Sequence, residues 1–260
     1  MSLFDGTADF YQRFRSGVPE ELAAILDAAA APGEPRRLLD LGTGTGLVVD
    51  AMAGRFDEII AVDPDPRLLA VAEATARPAM RAGTSLTFTC ATAEEFRPPA
   101  GWQADLVTIC RAFHWMDQPA VLDVLSTCVA PDGAVAIAGD RSLWRSATPW
   151  KVAIREVVQD FPGPARRAGN GVFSSPDRPY LDILAESAFS VVEEMTVPVR
   201  RTRTTGNIVG YLHSTSYAAP HLFGDRLAEF DQAVTDRLSE LSPDGNFVDE
   251  NEYYVLIARR

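Results

Sequence analysis

Residues 38–46 read LLDLGTGTG, three glycines spaced two apart directly behind an apolar run. In that setting Gly42, Gly44 and Gly46 let a chain turn tightly from strand to helix and let a ligand touch backbone atoms that a Cβ would shield. The dinucleotide fingerprint needs its third glycine at position 47, which is Leu47, and a phosphate-binding loop needs a Lys-Ser/Thr pair that is absent here. Asp63 follows 17 residues after Gly46, in the run AVDPDP at 61–66. A carboxylate at the tip of a second strand is placed to accept both hydroxyls of a ribose. Asp65 reads as the cap of the next helix, with Pro66 in its first turn.

A second group of reactive side chains follows the apolar run at 104–110. His114 stands past a strand's carboxyl end, where α/β sheets meet ligands. An imidazole titrates near neutral pH, which makes it the candidate general base. The plainer alternative is that His114 packs or bonds a backbone carbonyl, with Trp115 as a core aromatic. Asp117 and Asp140 fall just past the fourth and fifth strands and are candidates for holding an ammonium group. Against this stand a helix cap for Asp117 and a solvated loop for Asp140. His213 and Tyr217 share a stretch crowded with hydrogen-bonding groups and are candidates for lining an acceptor pocket; His221 reads as part of a helix start. Trp144 and Trp150, with Tyr180, either wall a pocket or fill an interface. No His/Asp/Glu cluster has ligand spacing, so no metal is expected.

The elements that must hold these residues alternate. Strand-like runs at 36–41, 58–63, 85–89, 104–110 and 134–139 are separated by helical patterns from Leu47 through Arg55, from Pro66 to Arg81 and from Gln118 to Val129. Such alternation implies βαβ units and a parallel sheet with helices on both faces. A helical arm, Phe4 to Ala30, precedes it and closes in the linker PGEP at 32–35. A helix near Trp150–Asp160 comes afterwards, then a strand at 189–199 and a polar, aromatic stretch from Gly206 to Pro220. Helical periodicity over His221–Leu241 and a last apolar strand at 253–258 end the chain. The expected division is an arm at 1–35, an α/β core at 36–140, and at 141–260 a cover plus the closing strands of the same sheet.

With 47% hydrophobic and 23% charged residues among 260, the chain is expected to pack as a globular protein. Its net charge of −12 repels phosphate backbones and attracts cationic small molecules, so no nucleic-acid partner is expected. Cys90, Cys110 and Cys128 sit in apolar runs and read as small core residues of a reducing compartment. No signal peptide is evident, and no apolar stretch approaches the ~20 residues of a membrane span. A cytoplasmic monomer or homodimer is expected, with no membrane partner.

The glycine loop and Asp63 together resemble the class I S-adenosylmethionine-dependent methyltransferases. The segment Thr92-Ala93-Glu94-Glu95-Phe96 is similar to the one that holds adenine in that family, with Thr92 where many relatives have Asp. ADLVTICRAFHWMD at 104–117 is similar to the strand-four motif, in the His-Trp variant of small-molecule methyltransferases. Residues 123–139, with the turn Pro131-Asp132-Gly133, resemble the helix and strand that follow. FYQRFRSGVP at 10–19 resembles that subgroup's entry segment, Tyr-x-x-x-Arg-Pro-x-Tyr-Pro, with Ser16 and Val18 at two of its positions.

The resemblance implies a Rossmann-like, doubly wound α/β fold of seven strands with the last antiparallel, an N-terminal arm and a C-terminal cover insertion. It implies S-adenosyl-L-methionine as cofactor and S-adenosyl-L-homocysteine as product. Tyr11, Arg15, Asp40, Gly42, Gly44, Gly46, Asp63, Pro64, Thr92, Ala93, Glu94 and Arg111 would hold the cofactor, Arg15 by gripping its carboxylate. The acceptor would meet Tyr11, Trp115, Asp117, Asp140, Trp144, His213 and Tyr217, with His114 as base. The acceptor expected is a small cationic molecule, an amino sugar N-methylated as in gentamicin-type aminoglycoside assembly. Alternatives are O- or C-methylation of a small acid, quinone or polyketide, and a non-catalytic, cofactor-binding regulator.

Overall fold

The computed structural model describes residues 8–76, 80–141, 143–161, 167–168, 171–172 and 178–260. The strands are β1 (Arg37–Leu41), β2 (Glu58–Asp63), β3 (Ser85–Cys90), β4 (Ala104–Cys110), β5 (Val129–Asp140), β6 (Arg167–Ala168), β7 (Gly171–Val172), β8 (Val191–Thr204) and β9 (Asn246–Arg259). The helices are α1 (Ala8–Phe14), α2 (Glu20–Ala29), α3 (Leu47–Ala51), α4 (Pro66–Ala76), α5 (Gln118–Cys128), α6 (Pro149–Asp160), α7 (Tyr180–Ala185), α8 (Thr205–His213) and α9 (Leu227–Leu241). The described residues of 17–140, 175–197 and 253–260 form one compact unit, and those of 1–16, 141–174 and 198–252 another. The boundary expected at 35 is thus drawn differently by the contacts: α1 groups with the second unit and α2 with the sheet.

The seven-stranded sheet has the order β3-β2-β1-β4-β5-β9-β8. β1 to β5 pair in parallel, and β9 pairs antiparallel with β5. The α/β, doubly wound sheet with its last strand antiparallel is the fold class that the resemblance implied. β1, β2, β4 and the second half of β5 read as nearly continuous apolar runs because both faces are covered. Leu39, Leu41, Val107, Ile109, Val135 and Ile137 pack in one cluster with Val121 and Leu125 of α5 and Leu184 of α7. Each such side chain contributes about 1.5–3 kcal/mol on full burial. α2 packs against β4 and β5, and Arg259 Nη2 donates to the Ala29 carbonyl at its end, 3.0 Å away. The chain leaves β1 toward β2 and β3, then returns to β4 on the opposite side. That reversal between β1 and β4 is the switch point, at whose carboxyl end open α/β sheets bind ligands.

Some elements depart from their sequence expectations. α3 ends at Ala51 rather than Arg55, because a turn with Gly54 at φ 82° follows. α4 is described as far as Ala76, and residues 77–79 lie outside the described residues. The arm is two helices, α1 and α2, with Pro19 at the start of the second; residues 4–7 of the expected helix lie outside the described residues.

In the other unit, the stretch from Gly206 to Pro220 carries a helix, α8, that its polar composition concealed. Thr204 Oγ1 accepts from Asn207 N at 3.2 Å and Asn207 Oδ1 from Thr204 N at 3.4 Å, a capping box with asparagine in the place of Glu or Gln. Gly210 is required by packing, since a Cβ there would sit 2.4 Å from the Phe14 ring of α1. α9 begins at Leu227 rather than His221. His221 lies in a short 3-10 turn, Pro220–Leu222, and Gly224, at φ 52°, opens a second one. Trp150, Ile154, Val158, Ile208, Leu212, Phe230, Val234 and Leu238 form this unit's core. Trp150 Nε1 donates to the Val248 carbonyl at 3.0 Å. β6 and β7 form a two-stranded antiparallel pair. Among the described residues no helix is long and apolar enough to cross a membrane, and no group of three or more His, Cys, Asp or Glu could hold a metal.

Candidate functional site

The glycine loop leaves β1 at the switch point and is tied to β2. Gly42 N and Thr43 N both donate to the Val62 carbonyl, at 2.9 and 3.0 Å. Gly44 N donates to Asp63 Oδ2 at 2.9 Å, and Asp65 N to Asp63 Oδ1 at 2.9 Å. Asp63 therefore joins the loop to the start of α4. Asp65 caps that helix as the sequence suggests, its Oδ1 accepting from Arg67 N at 3.0 Å. Burial pushes the Asp63 carboxyl above its ordinary range; the amides of Asp65 and Gly44 offset part of this, and the Asp65 charge adds to it.

The glycines do different work. At Gly42 (φ 68°) a Cβ would lie 2.4 Å from Ala112 Cβ, so the loop and the turn after β4 touch because no side chain intervenes. At Gly44 (φ 56°) a Cβ would meet nothing within 4 Å. In the loop and at the end of β1 before it, Asp40 Oδ2, Thr43 Oγ1 and Thr45 Oγ1 are buried without a hydrogen-bond partner. Asp40 Oδ1 accepts from Thr108 Oγ1 at 2.7 Å. Burial raises the Asp40 pKa to about 6, against the opposing influence of the Thr43 and Thr108 hydroxyls and with a further push from Asp63. Thr43 lies near enough to favour the charged form without meeting hydrogen-bond geometry. Buried polar atoms without partners are uncommon because each costs about 1–3 kcal/mol. An acceptor and two hydroxyls left this way in one strand end and loop fit a small ligand carrying an ammonium and other polar groups.

The loops after β3 and β4 meet here. Thr92 Oγ1 accepts from Glu95 N at 3.3 Å and donates to Glu95 Oε2 at 3.2 Å, so its hydroxyl braces its own turn. Ala93 is buried. Glu94 Oε1 accepts from Asp117 N at 2.7 Å, and Asp117 Oδ1 accepts from Ala120 N at 3.2 Å as the cap of α5. Pro64 is exposed, and its carbonyl lies 3.7 Å from Cys90 Sγ. His114 is half-buried in a 3-10 turn, its ring 4.6 Å from that of Trp115, which is 37% exposed. Arg111 Nε donates to Asp140 Oδ1 at 2.5 Å, so Asp140 is an ion-pair partner rather than a solvated loop residue. Tyr180 packs edge-on against Phe113, ring centroids 5.0 Å apart.

The remaining candidates belong to the other unit. Arg15 Nε donates to Ser214 Oγ at 3.1 Å, and its guanidinium lies 5.0 Å from each of the Tyr11 and Tyr211 rings. Buried His213 has Nε2 2.8 Å from Asp231 Oδ1 and Nδ1 3.3 Å from the Ala218 carbonyl, so both ring nitrogens have protein partners. Trp144 and Tyr217 pack edge to face at 5.4 Å. Sequence reasoning passed over Thr43 and Thr45, although both hydroxyls stand between the glycines it singled out. It also passed over Tyr253, which accepts from Arg111 Nη2 and carries no local signal at all.

Residues 38–133, which carry the glycine loop and the turn after β4, match the methyltransferase-domain family. Two relatives match part of the chain. An uncharacterized methyltransferase of Mycobacterium tuberculosis is 35% identical over 139 residues, 53% of this chain and 52% of the relative. The ubiquinone biosynthesis O-methyltransferase of Aeromonas salmonicida is 33% identical over 103 residues, 39% of this chain and 42% of the relative. The chain thus spans about half the length of the mycobacterial relative. Among solved structures, a putative type II methyltransferase from Anaeromyxobacter dehalogenans shares the fold, with a TM-score of 0.60 over 95% of this chain and 98% of its own, at 19% identity.

Proposed function

We propose that this protein is an S-adenosylmethionine-dependent methyltransferase of small molecules, with the cofactor held at the glycine loop. The observation that most supports this is the trio Asp40 Oδ2, Thr43 Oγ1 and Thr45 Oγ1, buried without hydrogen bonds at the end of β1 and in the glycine loop, within the stretch that matches the methyltransferase-domain family. When bound, S-adenosylmethionine supplies a strongly electrophilic methyl group. The chain then has to align the acceptor, exclude water and take up a proton. Asp40 and the two threonines would receive the polar amino-acid end. Asp63 would accept the ribose hydroxyls, since each carboxylate oxygen has a lone pair beyond the one engaged by a loop amide. By resemblance, His114 would take the proton of the acceptor.

N-methylation of an amino sugar is the first acceptor reading, supported by the net charge of −12, which draws polycations to the surface. A second reading, O-methylation of a phenol, quinol or small acid, is favoured by a specific observation. Asp117 and Asp140, the carboxylates expected to hold an ammonium, are engaged as a helix cap and as the partner of Arg111. The ubiquinone-pathway name of one relative points the same way. The test is mass spectrometry of purified protein with isotope-labelled cofactor and a panel of amino sugars, carboxylic acids and phenols. Gain of one labelled methyl names the acceptor class. Cofactor binding without transfer to any member supports a non-catalytic regulator, and no binding at all sinks the proposal.

A further inference from the structure

We infer that Arg111 is a positioning residue, a clamp that fixes the turn after β4 on which both the glycine loop and His114 rest. Among the described non-glycine residues Arg111 alone has a positive φ, 58°. A side chain rarely adopts that left-handed conformation, and it persists where the surroundings over-determine it. Here three contacts do so. The Arg111 N–H donates to the Ala138 carbonyl of β5 at 2.8 Å. Its Nε donates to Asp140 Oδ1, and its Nη2 to the Tyr253 hydroxyl of β9. The guanidinium carbon also lies 5.2 Å from the centre of the Tyr253 ring. Asp140 and Tyr253 are direct partners in the antiparallel register of β5 and β9, so both anchors form one rigid cross-strand pair.

The held turn has two consequences. Ala112, the next residue, closes against Gly42 of the glycine loop. The 3-10 turn Phe113–Trp115 then follows, with Trp115 N donating to the Ala112 carbonyl at 2.9 Å and Gln118 Nε2 to the Phe113 carbonyl at 3.2 Å. A rotation of the Arg111 backbone out of the left-handed region moves Ala112 and His114 together. The guanidinium fork reaches a carboxylate and a phenol at once, which an ammonium point charge does not reproduce. The significance for catalysis rests on the methyltransferase reading; the clamp itself does not.

The test uses the full chain, with the ring resonances of His114 and calorimetric titration with S-adenosylhomocysteine as separate readouts. R111G accepts the left-handed backbone without strain and lacks the guanidinium, while R111A lacks both advantages. Both variants should displace the His114 ring resonances, and both should weaken S-adenosylhomocysteine binding by about ten-fold, the equivalent of one lost charge-assisted hydrogen bond. Y253F and D140N, which keep Arg111, should displace the same resonances by less. The His213 resonances, in the other unit, should not move. Wild-type His114 resonances and affinity in R111G would show that the backbone conformation suffices and would overturn the clamp. If R111A fails to fold, unchanged His114 resonances in both Y253F and D140N overturn it equally. Absence of S-adenosylhomocysteine binding to the wild type would sink the methyltransferase reading, while the His114 spectra would still decide on the clamp.

Discussion

Two buried polar regions of this molecule are built on opposite principles. In the unit of α6, α8 and α9, Asp249 is buried between two cations: Arg203 Nε donates to its Oδ2 at 2.6 Å, and Lys151 Nζ lies 2.6 Å from its Oδ1 as an ion pair outside hydrogen-bond geometry. Burial alone would raise the Asp249 pKa, but the two cations together hold it below its ordinary value. His213 likewise has a partner on each ring nitrogen. At the glycine loop of the sheet unit, Asp40 Oδ2 and the hydroxyls of Thr43 and Thr45 are just as hidden and have none. Partnered burial holds a fold together. Unpartnered burial is tolerated where something else, a ligand, supplies the missing bonds.

The largest expected effect comes from removing the tolerated cost. Burial lifts Asp40 from 3.8 to about 6, so the folded chain binds that proton more tightly than the unfolded chain does. This stabilisation is therefore full below about pH 4, declines as pH rises toward 6, and is absent above. Asp40→Asn removes the titration, and relative to wild type the variant should gain up to about 3 kcal/mol at pH 7 and little at pH 4. Urea denaturation at the two pH values reads the difference. The same variant should bind S-adenosylhomocysteine more weakly. Equal stability at both pH values would break the contrast between the regions.

Asp63→Ala deletes the bridge from the loop to α4 and, on the proposed function, the ribose acceptor, and should weaken cofactor binding by about 1.5–3 kcal/mol. An unchanged dissociation constant would remove Asp63 from the site. Asp231→Ala probes the partnered region. Loss of the His213 contact should lower stability by about 1–3 kcal/mol while leaving S-adenosylhomocysteine affinity within about two-fold. Weakened cofactor binding with intact stability would reverse that assignment. The smallest effect is expected for Asp117→Ala, about 1 kcal/mol of stability from the lost cap of α5. A raised Michaelis constant for a cationic acceptor, with no change in stability, would return Asp117 to the substrate.

The sheet was legible because β1, β2, β4 and the second half of β5 are buried on both faces and spell nearly continuous apolar runs. The glycine loop was legible because its φ angles and its close approach to Ala112 demand glycine at fixed spacing. α8 was not, since Gly206 and Gly210 argue against a helix until the Phe14 ring explains the second. Nor was the clamp, because Arg111 and Tyr253 stand 142 residues apart and no local pattern joins them. Chemistry carried by one loop can be read along the chain; chemistry assembled across strands needs their register.

The central claim, that the unpartnered atoms of the glycine loop belong to S-adenosylmethionine, is tested most directly by calorimetric titration of the wild-type chain with S-adenosylmethionine and, separately, with NAD. The account predicts one-to-one binding of S-adenosylmethionine, weakened in Asp63→Ala, and no comparable binding of NAD. NAD binding as tight as that of S-adenosylmethionine, or no binding of S-adenosylmethionine at any pH between 6 and 8 (roughly the range in which Asp40 can ionise), would contradict it.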